Sequence, residues 1–74
     1  MTYNIIIFSS ITYALKAQGI LERNGIKSKL EKIKKEIALN GCGYGLKIKN
    51  SDVINAKNAV EREGIKVINI FEYN

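Results

Sequence analysis

The sequence predicts an α+β fold in which strands and helices alternate as β-α-β-β-α-β. The first observation behind this prediction is an internal repeat, since residues 22–27 (Glu-Arg-Asn-Gly-Ile-Lys) recur as residues 61–66 (Glu-Arg-Glu-Gly-Ile-Lys), 39 positions later. The second is that the apolar spacing of each half is typical of a strand, a helix and another strand. Because an internal repeat constrains the architecture, we expect both halves to share one plan.

The first half opens with a strand over residues 3–8, a β-branched and aromatic run typical of a strand that is central in a sheet or covered on both faces. Ser9 and Ser10 then offer hydroxyls for a helix N-cap. The apolar stripe of that helix is Ile11, Ala14, Ala17 and Leu21. Gly25 supplies the left-handed residue that ends it. Residues 26–33 are predicted to be extended, and their lysines, Lys27, Lys29 and Lys32, are typical of a protected edge strand.

The second half opens with a clean alternation of period two, which predicts a strand with one buried face. Its apolar positions are Tyr44, Leu46 and Ile48. Residues 50–52 (Asn-Ser-Asp) are predicted to cap a second helix, whose stripe is Val53, Ala56 and Val60. Gly64 ends this helix, and residues 65–73 are predicted to form the last strand.

Two split β-α-β units in one short chain predict a ferredoxin-like sandwich, with an antiparallel sheet of order 4-1-3-2 and two helices on one face. The chain has 74 residues, of which 46% are hydrophobic, so we expect residues 1–74 to form a single ferredoxin-like domain with one modest core. Self-association would stabilise a core of this size, and homodimerisation stays open.

The composition excludes several classes of function. Histidine is absent and Cys42 is the only cysteine, which excludes disulfide frameworks, common zinc sites and catalysis by Ser-His or Cys-His pairs. We therefore expect no metal, no cofactor and no self-sufficient enzyme. The longest apolar run, residues 5–8, is far shorter than the ~20 residues of a membrane span, and the start of the chain lacks a basic signal-peptide region. These features predict a cytoplasmic protein without membrane contact.

The net charge of +5 has two interpretations. It can reflect an anionic partner such as nucleic acid. It can also reflect solvated lysines, because ten of the twelve basic residues are lysine and the chain is rich in isoleucine and asparagine, as an AT-rich coding sequence produces. The second interpretation is the simpler one.

The predicted strand order brings chemically useful residues to one edge of the sheet, where strands one and two end, strand three begins and the first helix starts. These residues are Ser9, Ser10, Lys34, Lys35, Gly41, Cys42 and Gly43. A helix N-terminus and lysines favour anions, and the flanking glycines leave the sulfur accessible. Such surroundings lower the pKa of a thiol and stabilise a thiolate, persulfide or selenide. The alternative is that Cys42 is a small buried hydrophobe.

A set of residues spread along the chain forms a recognisable sequence pattern. Its members are Phe8, Ser10, residues 14–17, residues 25–26, residues 36–37, Cys42-Gly43 and Leu46. It resembles the small bacterial proteins described as selenium or sulfur carrier-like, over nearly the whole chain. The resemblance implies that Cys42 holds sulfur or selenium as a persulfide or perselenide, received from a donor such as a cysteine desulfurase and passed to an acceptor enzyme. The linker departs from the family pattern, with Lys34 in place of a proline and residues 38–41 in place of a serine-rich stretch.

Two other classes of function stay as alternatives. RNA-binding RRM domains share this topology and carry a Gly-aromatic-Gly signature on the third strand, which residues 43–45 match. Tyr44, however, shares its face with Leu46 and Ile48 and not with the exposed lysines, so nucleic acid is not favoured. The other alternative is a small ferredoxin-like binding or dimerisation module, with at most weak RNA binding, in which the cysteine is structural.

Overall fold

The computed structural model describes residues 2–34 and 43–73. The described strands are β1 (Tyr3–Ile7), β2 (Lys29–Lys32), β3 (Tyr44–Lys49) and β4 (Asn69–Tyr73). The described helices are α1 (Ile11–Arg23) and α2 (Val53–Arg62), with a 3₁₀ turn, Asn50–Asp52, before α2. Their order along the chain is the predicted β-α-β-β-α-β.

The four described strands form one sheet in the order β2-β3-β1-β4, which is the predicted order seen from the other edge. Every neighbouring pair is antiparallel. In the centre of the sheet Ile6 lies opposite Leu46 on one side and Ile70 on the other. The predictions that β1 is central and that the lysine-bearing β2 is an edge strand are both confirmed.

One face of the sheet packs against both helices, and we call it the helix-covered face. Ile6 and Phe8 are completely buried there beside Leu46. The helix residues that complete this cluster are Ala14, Ala17, Ile20, Leu21, Ala56, Ala59 and Val60. Because both helices contribute to the same cluster, they lie on the same face, and the fold is the ferredoxin-like α+β sandwich that the repeat predicts.

The opposite face, here called the outer face, also buries apolar side chains. Side chains alternate along a strand, so Ile5 and Ile7 point away from the helices. Both are 0% exposed, and they pack with the buried Ile33 and with the half-buried Ile68 and Phe71. The prediction that the first strand is covered on both faces is therefore confirmed.

The repeat is visible in how the two helices end. Gly25 and Gly64 have φ angles of 72° and 85°, in the left-handed region that glycine adopts at low cost. After each glycine the next amide donates back to the last turn of the helix, Ile26 N to Leu21 O at 2.9 Å and Ile65 N to Val60 O at 3.1 Å. The two glycines of the repeat therefore end their helices in the same way.

The predicted boundaries are too long for three strands. The first strand ends at Ile7, one residue early; β2 begins three residues later than predicted and ends one earlier; β4 begins four residues late. The chain must return from the helix layer to the sheet before pairing begins, and Ile65 still packs in the helix-covered core. Hydrophobicity alone does not distinguish such a return segment from a strand.

The predicted cap of the second helix is also wrong in detail. Asn50–Asp52 forms a 3₁₀ turn, and Asp52 at the N-cap makes no side-chain capping bond. The side chain of Asn50 instead accepts a hydrogen bond from Asn4 Nδ2, at 2.6 Å. Asn4 is only 6% exposed, so this bond satisfies a polar group buried in the central strand.

Candidate functional site

The candidate site lies at the sheet edge where β1 and β2 end and β3 begins. Ile7 is paired with Gly45, and Lys32 with Tyr44, in the antiparallel register. Gly43 is the residue before β3, and Ile33 is the residue after β2. The amide of Ile33 donates a hydrogen bond to the carbonyl oxygen of Gly43 at 2.7 Å. The backbone at Gly43 is therefore held against the segment that follows β2.

Two glycines at this edge are required for different reasons. Gly43 has a φ of 81°, in the left-handed region, and the nearest atom to an added Cβ would be Ile33 O at 4.0 Å, so its backbone conformation is the constraint. Gly45 has no such conformation, but an added Cβ would lie 2.6 Å from Ile5 Cγ2 and 2.9 Å from the carbonyl oxygen of Ile6. Here the close approach of β1 demands glycine.

The first helix begins at the same edge, with Ser10 as its N-cap. Ser10 Oγ accepts a hydrogen bond from the amide of Tyr13 at 3.1 Å, while Ser10 O accepts from Ala14 N at 3.0 Å. Because Ser10 makes this bond, the predicted capping role belongs to Ser10 and not to the exposed Ser9. The first turn carries no acidic residue, and its remaining amides leave partial positive charge at this end of the helix.

The predicted site residues are only partly within the described chain. Ser9, Ser10, Lys34 and Gly43 are described and share this end of the sheet, and Lys34 is exposed. No hydrogen bond or ion pair joins the side chains of Ser9, Ser10 and Lys34 to one another. The other predicted members, Lys35, Gly41 and Cys42, lie outside the described residues.

Within residues 2–34 and 43–73, no three histidine, cysteine, aspartate or glutamate side chains come together as metal ligands. No helix in this part of the chain has the length and apolar character needed to cross a membrane.

A second group of side chains comes together away from the candidate thiol site. A groove of about 210 Å³, here called the lysine groove, is lined by Tyr3, Lys27, Ser28, Lys29, Lys47 and Lys49. Lys47 Nζ lies 4.8 Å from the centroid of the Tyr3 ring and 3.7 Å from Glu31 Oε1. Alternation along β3 does predict that Lys47 and Lys49 share a face, but only the strand register brings Lys29 opposite Lys47.

The RRM comparison fails on the geometry of β3. Leu46 and Ile48 are buried in the helix-covered core, so Tyr44, two residues before Leu46, belongs to that side of the strand. An RRM stacks bases on aromatic residues of the opposite face, where β3 carries lysines. The prediction that Tyr44 shares the face of Leu46 and Ile48 is confirmed.

The fold and the site define a small α+β protein of ferredoxin-like topology whose lone cysteine immediately precedes the glycine that leads into β3. The model of the family described as "Putative Se/S carrier protein-like" matches residues 3–72, nearly the whole chain. The chain therefore belongs to this family, which confirms the resemblance stated above. No curated protein and no solved structure matches the chain.

Proposed function

We propose that this protein carries sulfur or selenium on Cys42, receiving it from a donor such as a cysteine desulfurase and delivering it to an acceptor enzyme. The family match over residues 3–72 carries the proposal. We take the chain to be a single domain that acts in the cytoplasm, where thiols are kept reduced, and as a carrier it is not a self-sufficient catalyst.

The position of Gly43 supports Cys42 as the attachment point. Gly43 is hydrogen-bonded to Ile33 at the sheet edge. Cys42 directly precedes Gly43 in the sequence. A carrier needs its reactive atom at a place that two partner proteins can reach in turn, and the end of a sheet meets that need.

Charge at the same edge supports the reactivity of the sulfur. The thiolate, and not the thiol, is the nucleophile, and positive surroundings stabilise it. The start of α1 and the exposed Lys34 both bring positive charge to this edge, and Lys34 makes no ion pair with a described carboxylate. Ser9, Lys35 and Gly41 are proposed as further support for the anion.

The chemistry requires no external oxidant. The Cys42 thiolate attacks the outer sulfur of the donor's persulfide, a new S–S bond forms on Cys42, and the donor's own S–S bond breaks. The donor cysteine leaves as a thiolate with the electron pair of the broken bond. Delivery repeats the step, with a thiolate of the acceptor as nucleophile. Selenium follows the same route when the outer atom of the donor is selenium.

Intact mass spectrometry after incubation with a cysteine desulfurase and free cysteine tests this function. We expect the native protein to gain one sulfur atom per chain and to lose it when a thiol acceptor is added. Cys42→Ser removes the only thiol and should gain nothing. If the native protein gains no adduct under conditions that load an established carrier, the proposed function is wrong.

Alkylation separates a reactive Cys42 from a structural one. A carrier thiol should react with iodoacetamide in the folded protein at least as fast as in urea-unfolded protein, because thiolate formation is favoured at its site. A structural, buried cysteine should be protected until the chain unfolds, as the binding or dimerisation alternative requires.

A further inference from the structure

The lysine groove lies at the end of the sheet opposite to Gly43. Lys49 is paired with Tyr3 at the start of β1, and Lys29 is paired with Lys47. At about 3.4 Å per residue along β3, Lys47 and Lys49 of the groove are about 14 and 20 Å from Gly43. It is therefore separate from the candidate thiol site.

Three of the four lysines that line the groove carry charge that no described carboxylate neutralises. Lys29 and Lys47 face each other on neighbouring strands, an arrangement of like charges that destabilises a sheet. Glu31 pairs with Lys47 at 3.7 Å. The other lysines of the groove, Lys27, Lys29 and Lys49, are exposed and make no ion pair with any described carboxylate. An acidic ligand would neutralise these three exposed charges.

We propose that the lysine groove docks an acidic polypeptide segment of a partner protein. Its volume of about 210 Å³ is below the ~300 Å³ at which small-molecule pockets begin, which favours a surface contact over an enclosed ligand. That this partner is the sulfur donor or acceptor rests on the proposed function, whereas the docking itself does not. A partner anchored here leaves the Gly43 end of the sheet uncovered.

The same groove is a poor platform for nucleic acid. Single strands bind by stacking bases on exposed aromatic rings along a basic track. Lys47 Nζ already occupies a position 4.8 Å from the ring centroid of Tyr3. The next residues of β1 on this face, Ile5 and Ile7, are 0% exposed and provide no further stacking surface. The geometry therefore favours carboxylates.

The test measures binding of a fluorescein-labelled oligoglutamate peptide by fluorescence anisotropy, in the Cys42→Ser background so that no thiol chemistry takes part. The variant is Lys29→Gln with Lys49→Gln. The matched control is Lys16→Gln with Lys66→Gln, which removes the same charge from exposed lysines outside the groove. We expect the groove variant to weaken peptide binding about three- to tenfold, the effect of losing two exposed ion pairs, and the control to change it less than twofold.

An oligouridylate of equal charge is measured in parallel. If both variants weaken the peptide equally, only net charge acts and the proposal is wrong. It is also wrong if the peptide does not bind, or if the RNA binds more tightly than the peptide and the groove variant weakens it. The thermal unfolding midpoint of the groove variant should be unchanged or raised, since a like-charge pair is removed. Because the peptide assay contains no thiol, its outcome is independent of whether Cys42 accepts sulfur.

Discussion

The two faces of the sheet bury apolar side chains in different ways. On the helix-covered face, Ile6 and Phe8 pack into a cluster to which both helices contribute. On the outer face, the buried cluster of described residues is small and comprises Ile5, Ile7 and Ile33. The lysine groove lies on the same face, nearer to the start of β1.

This difference shows that β1 contributes buried side chains to both faces of the sheet. Ile5, Ile6 and Ile7 are consecutive in β1 and all 0% exposed, although only Ile6 of the three faces the helices. The outer face is thus divided along its length, with an apolar part near the Gly43 end and a charged part near the other. A sandwich with a uniformly polar outer face would show neither feature.

The largest expected effect comes from comparing Ile5→Ala with Ile6→Ala. The two residues are adjacent, identical in type and 0% exposed, but they face opposite sides of the sheet. Each substitution should lower the free energy of unfolding by about 2–5 kcal/mol, because each leaves a cavity in packed surroundings. Urea denaturation followed by circular dichroism measures both. A loss below about 1 kcal/mol for Ile5→Ala alone would show that the outer cluster collapses around the cavity and is packed less tightly.

A smaller effect is expected where β1 and β3 approach most closely. Gly45→Ala would bring a Cβ within 2.9 Å of the carbonyl oxygen of Ile6 and should destabilise the fold by about 1–3 kcal/mol through overpacking. The matched control is Gly19→Ala in α1, where an added Cβ has no neighbour within 4 Å. Since alanine favours helix over glycine, the control should gain about 0.5–1 kcal/mol. Equal effects of the two substitutions on the urea midpoint would contradict the close approach.

The smallest expected effect concerns the start of α1, one of the two helices that pack on the helix-covered face. Ser10→Ala removes the hydroxyl that accepts from Tyr13 N and should cost about 1 kcal/mol of unfolding free energy. Ser9→Ala, one residue earlier and exposed, should stay within about 0.5 kcal/mol of the native protein. If Ser9→Ala costs as much as Ser10→Ala in the same denaturation assay, the assignment of the cap is wrong.

Much of the architecture follows from local chemistry and could be predicted. Gly25 and Gly64 end both helices as expected, because the left-handed residue is a local requirement that glycine meets. Ser10 caps α1 for a similarly local reason. The cap of α2 was not predictable in the same way, because Asn50 is engaged by Asn4, a residue 46 positions away.

The candidate site, too, could be predicted from the sequence only in part. Strand order alone predicts that the residues around Ser10, Lys34 and Gly43 share one sheet edge, and the described part of that edge agrees. The role of Cys42 stays a prediction, supported by the family to which the chain belongs.

By itself the sequence determined the order of the elements, the ends of both helices, the central place of β1 and the edge position of β2. These features depend on the periodicity of apolar residues, on the glycine after each helix and on the internal repeat. All three can be recognised in one sequence. The tertiary structure alone decided the pairing of Lys29 with Lys47, the need for glycine at position 45 and which residues pack against the outer isoleucines, Phe71 among them. Each of these depends on which distant residue lies across the sheet, and register is set by the packing of the whole fold.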